Sequence, residues 1–285
     1  MNILIAGGFG HLGQEVVKTA VKAGHNVTAL DRSVRELGFS GFKPIQADVT
    51  NPAELAGTCE SQDIIISTVG LTVSSRTVTH YDVDLAGNLN LLEEAQRAGV
   101  PKFVYVSVIH ADSDPSVPML DAKNRFEQAL LKSGIDYLIF RPTGYFYDIA
   151  KVFQPMVKKG KVTLLKGNSV RANVIATSDF AQFILHHIEE KNKTFEVGGK
   201  EVYTYQEIAD IFFQAAGKQK NISYAPAFLF DILSIIAKAA NSGKYANIKF
   251  GKWTLLNDME AEIQTGEKSF QEYVTSLYSH KEEPC

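Results

Sequence analysis

A doubly wound parallel sheet with helices on both faces is the fold this sequence predicts, and three observations predict it. Strand-like apolar runs alternate with helix-like periodicity through the first half of the chain. The run Asp63–Val69 (DIIISTV) is continuously apolar at its centre, as a strand covered on both faces must be. The opening strand passes into a helix through Gly7, Gly10 and Gly13, each separated by two residues. That spacing in a strand–turn–helix unit is the signature of a dinucleotide grip.

The elements follow in order. Asn2–Ala6 reads as strand one, and Leu12, Val16, Val17, Ala20 and Val21 give helix one its inward stripe. Gly24 closes that helix and His25–Asp31 supplies strand two. Ser33 with Glu36 fits a capping box for a short second helix, ahead of a third strand at Lys43–Ala47. Asn51, Pro52 and Glu54 mark the next helix start. Asp63–Val69 is strand four, and Leu85, Leu89, Leu92 and Ala95 stripe a long helix. Lys102–Ser107 is strand five, Met119–Lys132 a helix, and Ile135–Arg141 strand six. This alternation requires right-handed crossovers, which makes the architecture Rossmann-type.

Beyond Arg141 the pattern loosens. Helices are expected at Ser178–Glu190, at Thr204–Ala216 behind a Thr204/Glu207 capping box, and at Ala227–Ala240, with short strands near Lys161–Leu164 and Thr194–Val197. Residues 1–145 are read as the dinucleotide-binding core. Residues 146–285 are read as completing the sheet and forming a smaller, mainly helical substrate lobe, with a frayed tail at Ser279–Cys285.

Bulk properties exclude several function classes. A net charge of −3 with basic residues scattered among acids offers no nucleic-acid surface. Cys59 and Cys285 are too few and too far apart for a disulfide framework or a zinc site, and His186–His187 point to different helix faces, so no metal is expected. Strand one begins at once after Met1, which leaves no room for a leader, and a reducing, cytoplasmic setting is expected. The apolar segment 227–240 is too short to span a bilayer and carries Asp231, Ser234 and Lys238. It is expected to be a buried or pocket-lining helix, with peripheral attachment to a membrane as the alternative. A monomer or homodimer acting on a small molecule is expected.

The chemistry concentrates at strand ends. Gly7 permits the tight turn, Gly10 lets backbone approach a pyrophosphate, and Gly13 lets helix and strand pack closely. Phe9, His11 and Leu12 complete the loop, whose unpaired N–H groups attract phosphate charge. Asp31 stands about twenty residues beyond the glycines, where a carboxylate accepts from ribose hydroxyls and favours NAD(H). Arg32 beside it fits a 2′-phosphate and favours NADP(H), so NAD(P) is the cofactor expected, with NAD(H) slightly ahead. Asp48 and Val49 end the third strand where adenine would sit, and Ser67, Thr68 and Val69 end the fourth beneath the cofactor.

With these pieces assembled, the chain resembles the short-chain dehydrogenase/reductase superfamily in its atypical, NmrA-like branch. The likeness rests on Gly7-x-x-Gly10-x-x-Gly13, Ala47-Asp48-Val49-Thr50, Val100–Ser107, Ala122-Lys123 and Ser133–Pro142, and covers most of the first 190 residues. Residues 107–146 are also loosely similar to branch members that assist photosystem assembly, a likeness that carries no function over. The resemblance implies a Ser, a Tyr and a Lys four residues after the Tyr, the Lys lowering the phenol pKa and holding the nicotinamide ribose. Ser107 and Lys123 match, but the tyrosine position is Met119, whose thioether cannot donate a proton. The resemblance also implies a loop around the nicotinamide at Pro142, Gly144 and Tyr145, with Tyr147 close behind. His110, just past strand five, is a candidate replacement donor.

Three readings follow. The leading one is an NAD(P)H-dependent reductase of a small carbonyl, enone or quinone, with Lys123, Ser107 and His110 as its catalytic residues. The missing tyrosine motivates a second, a non-catalytic NAD(P)-binding redox sensor or assembly protein. A sugar-nucleotide epimerase or dehydratase is weaker, because proton shuttling on a sugar normally uses that tyrosine.

Overall fold

The computed structural model describes residues 1–167, 169–240 and 243–279. In chain order, β1 (Asn2–Ala6), α1 (His11–Lys22), β2 (Asn26–Asp31), β3 (Phe42–Gln46), α2 (Pro52–Leu55) and β4 (Ile64–Ser67) open the fold. A π-helical turn at Tyr81–Gly87 runs straight into α3 (Asn88–Arg97), followed by β5 (Lys102–Val106), α4 (Pro118–Leu131) and β6 (Asp136–Pro142). The remainder comprises α5 (Phe146–Lys158), β7 (Val162–Leu165), β8 (Arg171–Ala172), α6 (Thr177–His186), β9 (Lys193–Gly199), β10 (Tyr203–Thr204), α7 (Tyr205–Ala215), β11 (Ile222–Ala225), α8 (Phe228–Ala239), α9 (Lys244–Thr254), β12 (Ile263–Thr265) and α10 (Phe270–Ser279).

Eight strands form one sheet in the order β12-β9-β6-β5-β4-β1-β2-β3, every pair parallel. The chain steps outward from β1 to β3 and then returns to β4 on the other side of β1. Crossovers therefore diverge at β1 and β4, and a crevice opens at their carboxyl ends, where open α/β sheets bind ligands.

Alternate strand residues build two layers, as the period of two requires. Ile3, Ile5, Val27, Ile64, Val104 and Phe140 pack under α1 and α6, while Leu4, Leu30, Ile65, Phe103 and Ile139 pack under α3 and α4. A third core joins α5, α7, α9 and α10. Asn173 ties this lobe to the sheet: buried, it exchanges side-chain hydrogen bonds with the backbone of Ala261 at 2.9 Å each, and its carbonyl accepts from Thr143 Oγ1 at 2.6 Å.

Several expectations need correction. The Ser33/Glu36 capping box caps nothing, since residues 33–41 are irregular. Gly38 and Gly41 interrupt any helical stripe, and Arg35 instead donates from Nη2 to the Phe9 carbonyl at 2.6 Å. The apolar segment 227–240 forms the expected helix, α8, but it is not buried: only Ser234 and Ala237 are. Strand β12, which extends the sheet edge, and helices α9 and α10 carry no strong pattern and were not expected. The Thr204/Glu207 capping box is formed in full. Residues 280–285, including Cys285 and nearly all of the expected frayed tail, lie outside the described residues. Cys59 is buried and unpaired; burial pushes its thiol up to about 12.

Candidate functional site

The glycine loop is shaped by close approach. Gly7 takes φ +77°, and its N–H donates to the Leu30 carbonyl at 2.8 Å, fastening the turn to β2. A Cβ at Gly13 would lie 1.9 Å from the Gly7 carbonyl oxygen, so only glycine lets α1 start this close to β1. The first bond into α1 runs from Gln14 N–H to Gly10 O at 3.0 Å. N–H groups of His11, Leu12 and Gly13 are thus left at the helix end, with no side-chain cap at Gly10. A bare helix terminus of this kind, over the crevice, fits a pyrophosphate. The buried Phe9 ring packs edge-on to Phe42 at 6.0 Å.

Around this loop the strand ends supply polar groups. Asp31, at the end of β2, accepts from Phe9 N–H through Oδ2 at 3.2 Å and from Ser33 N–H through Oδ1 at 3.4 Å. Arg32 is exposed. Arg35, which sequence reasoning missed, is the cation that reaches the loop; it sits four residues beyond Asp31. Asp48 uses Oδ1 to accept from Thr50 N–H and Oγ1 at 2.9 and 2.8 Å, closing its own turn. Val49 is buried beneath Asn90, whose amide donates to its carbonyl at 2.9 Å. Ser67 donates to Asn88 Oδ1 at 2.5 Å, Thr68 Oγ1 donates to the Ala6 carbonyl at 3.0 Å, and Val69 N–H donates back to Ser67 Oγ at 3.3 Å. These three residues bolt β4 to β1 and α3 rather than offering free side chains.

The centre of the site is a buried charge network. Lys123 projects from α4, and its Nζ lies 3.1 Å from Asp84 Oδ1 and 3.5 Å from the Val106 carbonyl. The same ammonium lies 5.3 Å from the centroid of the Tyr105 ring. A Cβ on Gly70 would lie 3.2 Å from Nζ, which puts the lysine against the end of β4. Asp84 is wholly buried in the π-helical turn and accepts from Leu71 N–H at 3.1 Å. Its Oδ2 also meets His80 Nδ1 at 3.1 Å. Burial alone would raise the Asp84 carboxyl, but Lys123 foremost, then His80 and Leu71, outweigh it and hold it below its ordinary value. His80 and Asp84 were not anticipated. The available signal was the polar row His80, Asp84, Asn88 at helical spacing, all fully buried.

Two orphan atoms stand close in sequence to this network: Ser107 Oγ and Tyr105 OH are buried with no hydrogen-bond partner among the described residues. Burial, then the Asp84 and Glu127 carboxylates, push the Tyr105 phenol well above its ordinary value, so it stays protonated. Met119 is buried one turn before Lys123 on α4. His110 takes φ +55° in the turn after β5, and its ring stands edge-on to Trp253 of α9 at 6.4 Å.

The segment after β6 forms the other wall. Pro142 ends the strand, and the Gly144 carbonyl accepts from Ile175 N–H at 2.9 Å. Tyr145 stacks on Tyr147 at 5.8 Å, and Tyr147 stacks on His11 at 4.3 Å, so an aromatic pile from α5 reaches the glycine loop. Burial, with Lys151 and Arg35 nearby, lowers the His11 pKa and keeps the ring neutral near pH 7. No group of three or more His, Cys, Asp or Glu residues is arranged to hold a metal ion among the described residues. No described helix is long and apolar enough to cross a membrane.

Comparisons with known proteins support a dinucleotide-binding fold. Residues 7–191 match the NAD(P)H-binding family model. The chain is 30% identical over 232 residues to a photosystem II assembly factor of Synechocystis, covering 79% of this chain and 71% of that protein. It is 28% identical over 304 residues to the divinyl chlorophyllide a 8-vinyl-reductase of Cucumis sativus, covering 94% and 72%. An NADPH-dependent quinone oxidoreductase of Escherichia coli, solved with NADPH, superposes with a TM-score of 0.75 at 21% identity, covering 97% of this chain and 99% of that one.

Proposed function

Because this chain belongs to the NAD(P)H-binding family, we propose that it is an NAD(P)H-dependent reductase of a small enone, quinone or activated carbonyl. The observation that carries this reading is the buried Lys123–Asp84 pair at the end of β4, 3.1 Å apart. A buried pair is a poor device for stability alone, and its cation stands against Gly70 at the carboxyl end of β4, the edge where open α/β sheets bind ligands.

A dinucleotide bound in this crevice would supply hydride. N–H groups of His11, Leu12 and Gly13 take the pyrophosphate charge, and Asp31, which keeps lone pairs beyond those already used, accepts from the adenosine ribose and favours NAD(H). Arg35, together with exposed Arg32, is the route by which NADP(H) would be accommodated. Asp84, 3.1 Å away, aims Lys123, and Lys123 holds the nicotinamide ribose. Ser107 Oγ, without a partner in the fold, donates to the substrate oxygen.

Substrate class follows from Met119. A saturated ketone becomes an alkoxide as hydride arrives and needs an acid in place, whereas an enone or quinone gives a delocalised oxyanion that can take its proton from water. With no phenol four residues before Lys123, the second kind of substrate is favoured. A panel of quinones, enones and saturated ketones with NADH and NADPH tests this: quinone or enone turnover well above ketone turnover is expected. No turnover of any, with cofactor bound, would sink it.

A second reading has one specific observation behind it. Met119, together with the likeness to photosystem II assembly factors, favours a non-catalytic NAD(P)-binding assembly protein. Such a protein should distinguish oxidised from reduced cofactor in partner binding or oligomeric state while turnover stays absent.

A further inference from the structure

Helix α8 turns its apolar residues to solvent. Phe228, Leu229, Ile232, Leu233, Ile235 and Ile236 are 40–67% exposed, while the small Ser234 and Ala237 are buried. At 3.6 residues per turn the six exposed side chains fall within one arc of about 160°, and every residue in that arc is apolar. Asp231 and Lys238 stand at its border. The patch presents roughly 600 Å² of apolar surface, at the upper limit of what monomers expose without a partner.

Charge identifies what covers it. Asp231 is the sole acid in 227–254, and Lys252 neutralises it at 2.6 Å. Lys238, Lys244 and Lys249 remain, so the segment carries three excess positive charges in a chain of net charge −3. Lys238 lies over the Tyr245 ring at 5.5 Å, anchoring this cation beside the apolar arc. A second copy docking through the same face would bring the lysines of both copies together across a two-fold axis. It would also bury less than the roughly 800 Å² per partner that a stable dimer uses. An apolar arc with Lys238 at its border, on a segment rich in lysine, matches an anionic headgroup layer, in which one helix lies flat.

We infer that the α8 face docks on the surface of an anionic lipid bilayer, its apolar arc among the acyl chains and its lysines on the lipid phosphates. This holds whether or not the protein turns over a substrate.

Co-sedimentation of the full chain with vesicles tests it, using phosphatidylcholine alone and phosphatidylcholine mixed with phosphatidylglycerol. Binding to the mixed vesicles, little to the neutral ones, and release by salt are expected. Lys238→Gln and Lys244→Gln should each weaken partitioning about fivefold, and Ile232→Glu with Ile235→Glu about a hundredfold or more. Both isoleucines are exposed, so thermal melting should stay at the wild-type value, which separates lost docking from lost folding. No binding, equal binding to both vesicles, or unchanged binding by the double variant would overturn the inference. So would gel filtration showing a wild-type dimer that the double variant splits, because the face would then join two copies.

Discussion

Asp84→Asn leaves the Lys123 ammonium buried without its counter-charge. The two groups are 3.1 Å apart, and at an effective dielectric of about 20 their attraction is about 5 kcal/mol, part of it offset by desolvation. Removing one partner of such a pair costs about 3–5 kcal/mol. Asparagine still accepts from Leu71 N–H, so the lower end, about 3 kcal/mol, is expected. Lys123→Met leaves Asp84 with His80 and Leu71 and should cost a similar amount or less. The double variant removes both charges together, so a double-mutant cycle should return a coupling of about 2 kcal/mol or more. Urea unfolding of the cofactor-free protein reads all four corners. Additivity within about 0.5 kcal/mol would refute the view that the two groups act as a pair.

Three further outcomes follow from the same geometry. Gly13→Ala forces a methyl to within 1.9 Å of the Gly7 carbonyl, so NADH affinity should fall beyond detection with a stability loss of about 1–3 kcal/mol, read by fluorescence titration and thermal melting; wild-type affinity would contradict the loop's role. Asp31→Ala should move the cofactor preference toward NADPH about tenfold or more, read from the ratio of dissociation constants; an unchanged ratio would mean the carboxylate faces only Phe9 and Ser33. Asp84 is held below its ordinary value of 3.8, so its stabilisation is full above that pH and is lost as pH falls through the lower folded value. The stability gap between wild type and Asp84→Asn should therefore be constant above pH 3.8 and shrink below it.

Much of the sheet is legible because its strands are covered on both faces, so that Asp63–Val69 and Lys102–Ser107 read as apolar runs. The glycine loop is legible because Gly13 has no steric alternative. His80 and Asp84 are not, since they stand at the start of and within a π-helical turn behind the irregular stretch 68–79, and no spacing in the sequence announces which lysine a lone aspartate will meet. Helix α8 misleads for a different reason. Its apolar residues surround most of the helix, and composition does not say that the small pair Ser234 and Ala237 makes the inward face. Ser33/Glu36 has a cap's residues but no stripe behind it, and Arg35 takes the segment to the glycine loop instead. Helices α9 and α10 are fixed by packing against α4, α5 and α7 rather than by local pattern.

In the proposed site Lys123 meets the nicotinamide half of a bound dinucleotide. Equilibrium titration of NADH into wild type and Lys123→Met, followed by reduced-nicotinamide fluorescence and confirmed on folded protein, reads that contact. A dissociation constant about tenfold or more higher for Lys123→Met is predicted, the loss of one charge-assisted hydrogen bond. Equal affinities would contradict it and return the Lys123–Asp84 pair to a purely structural role.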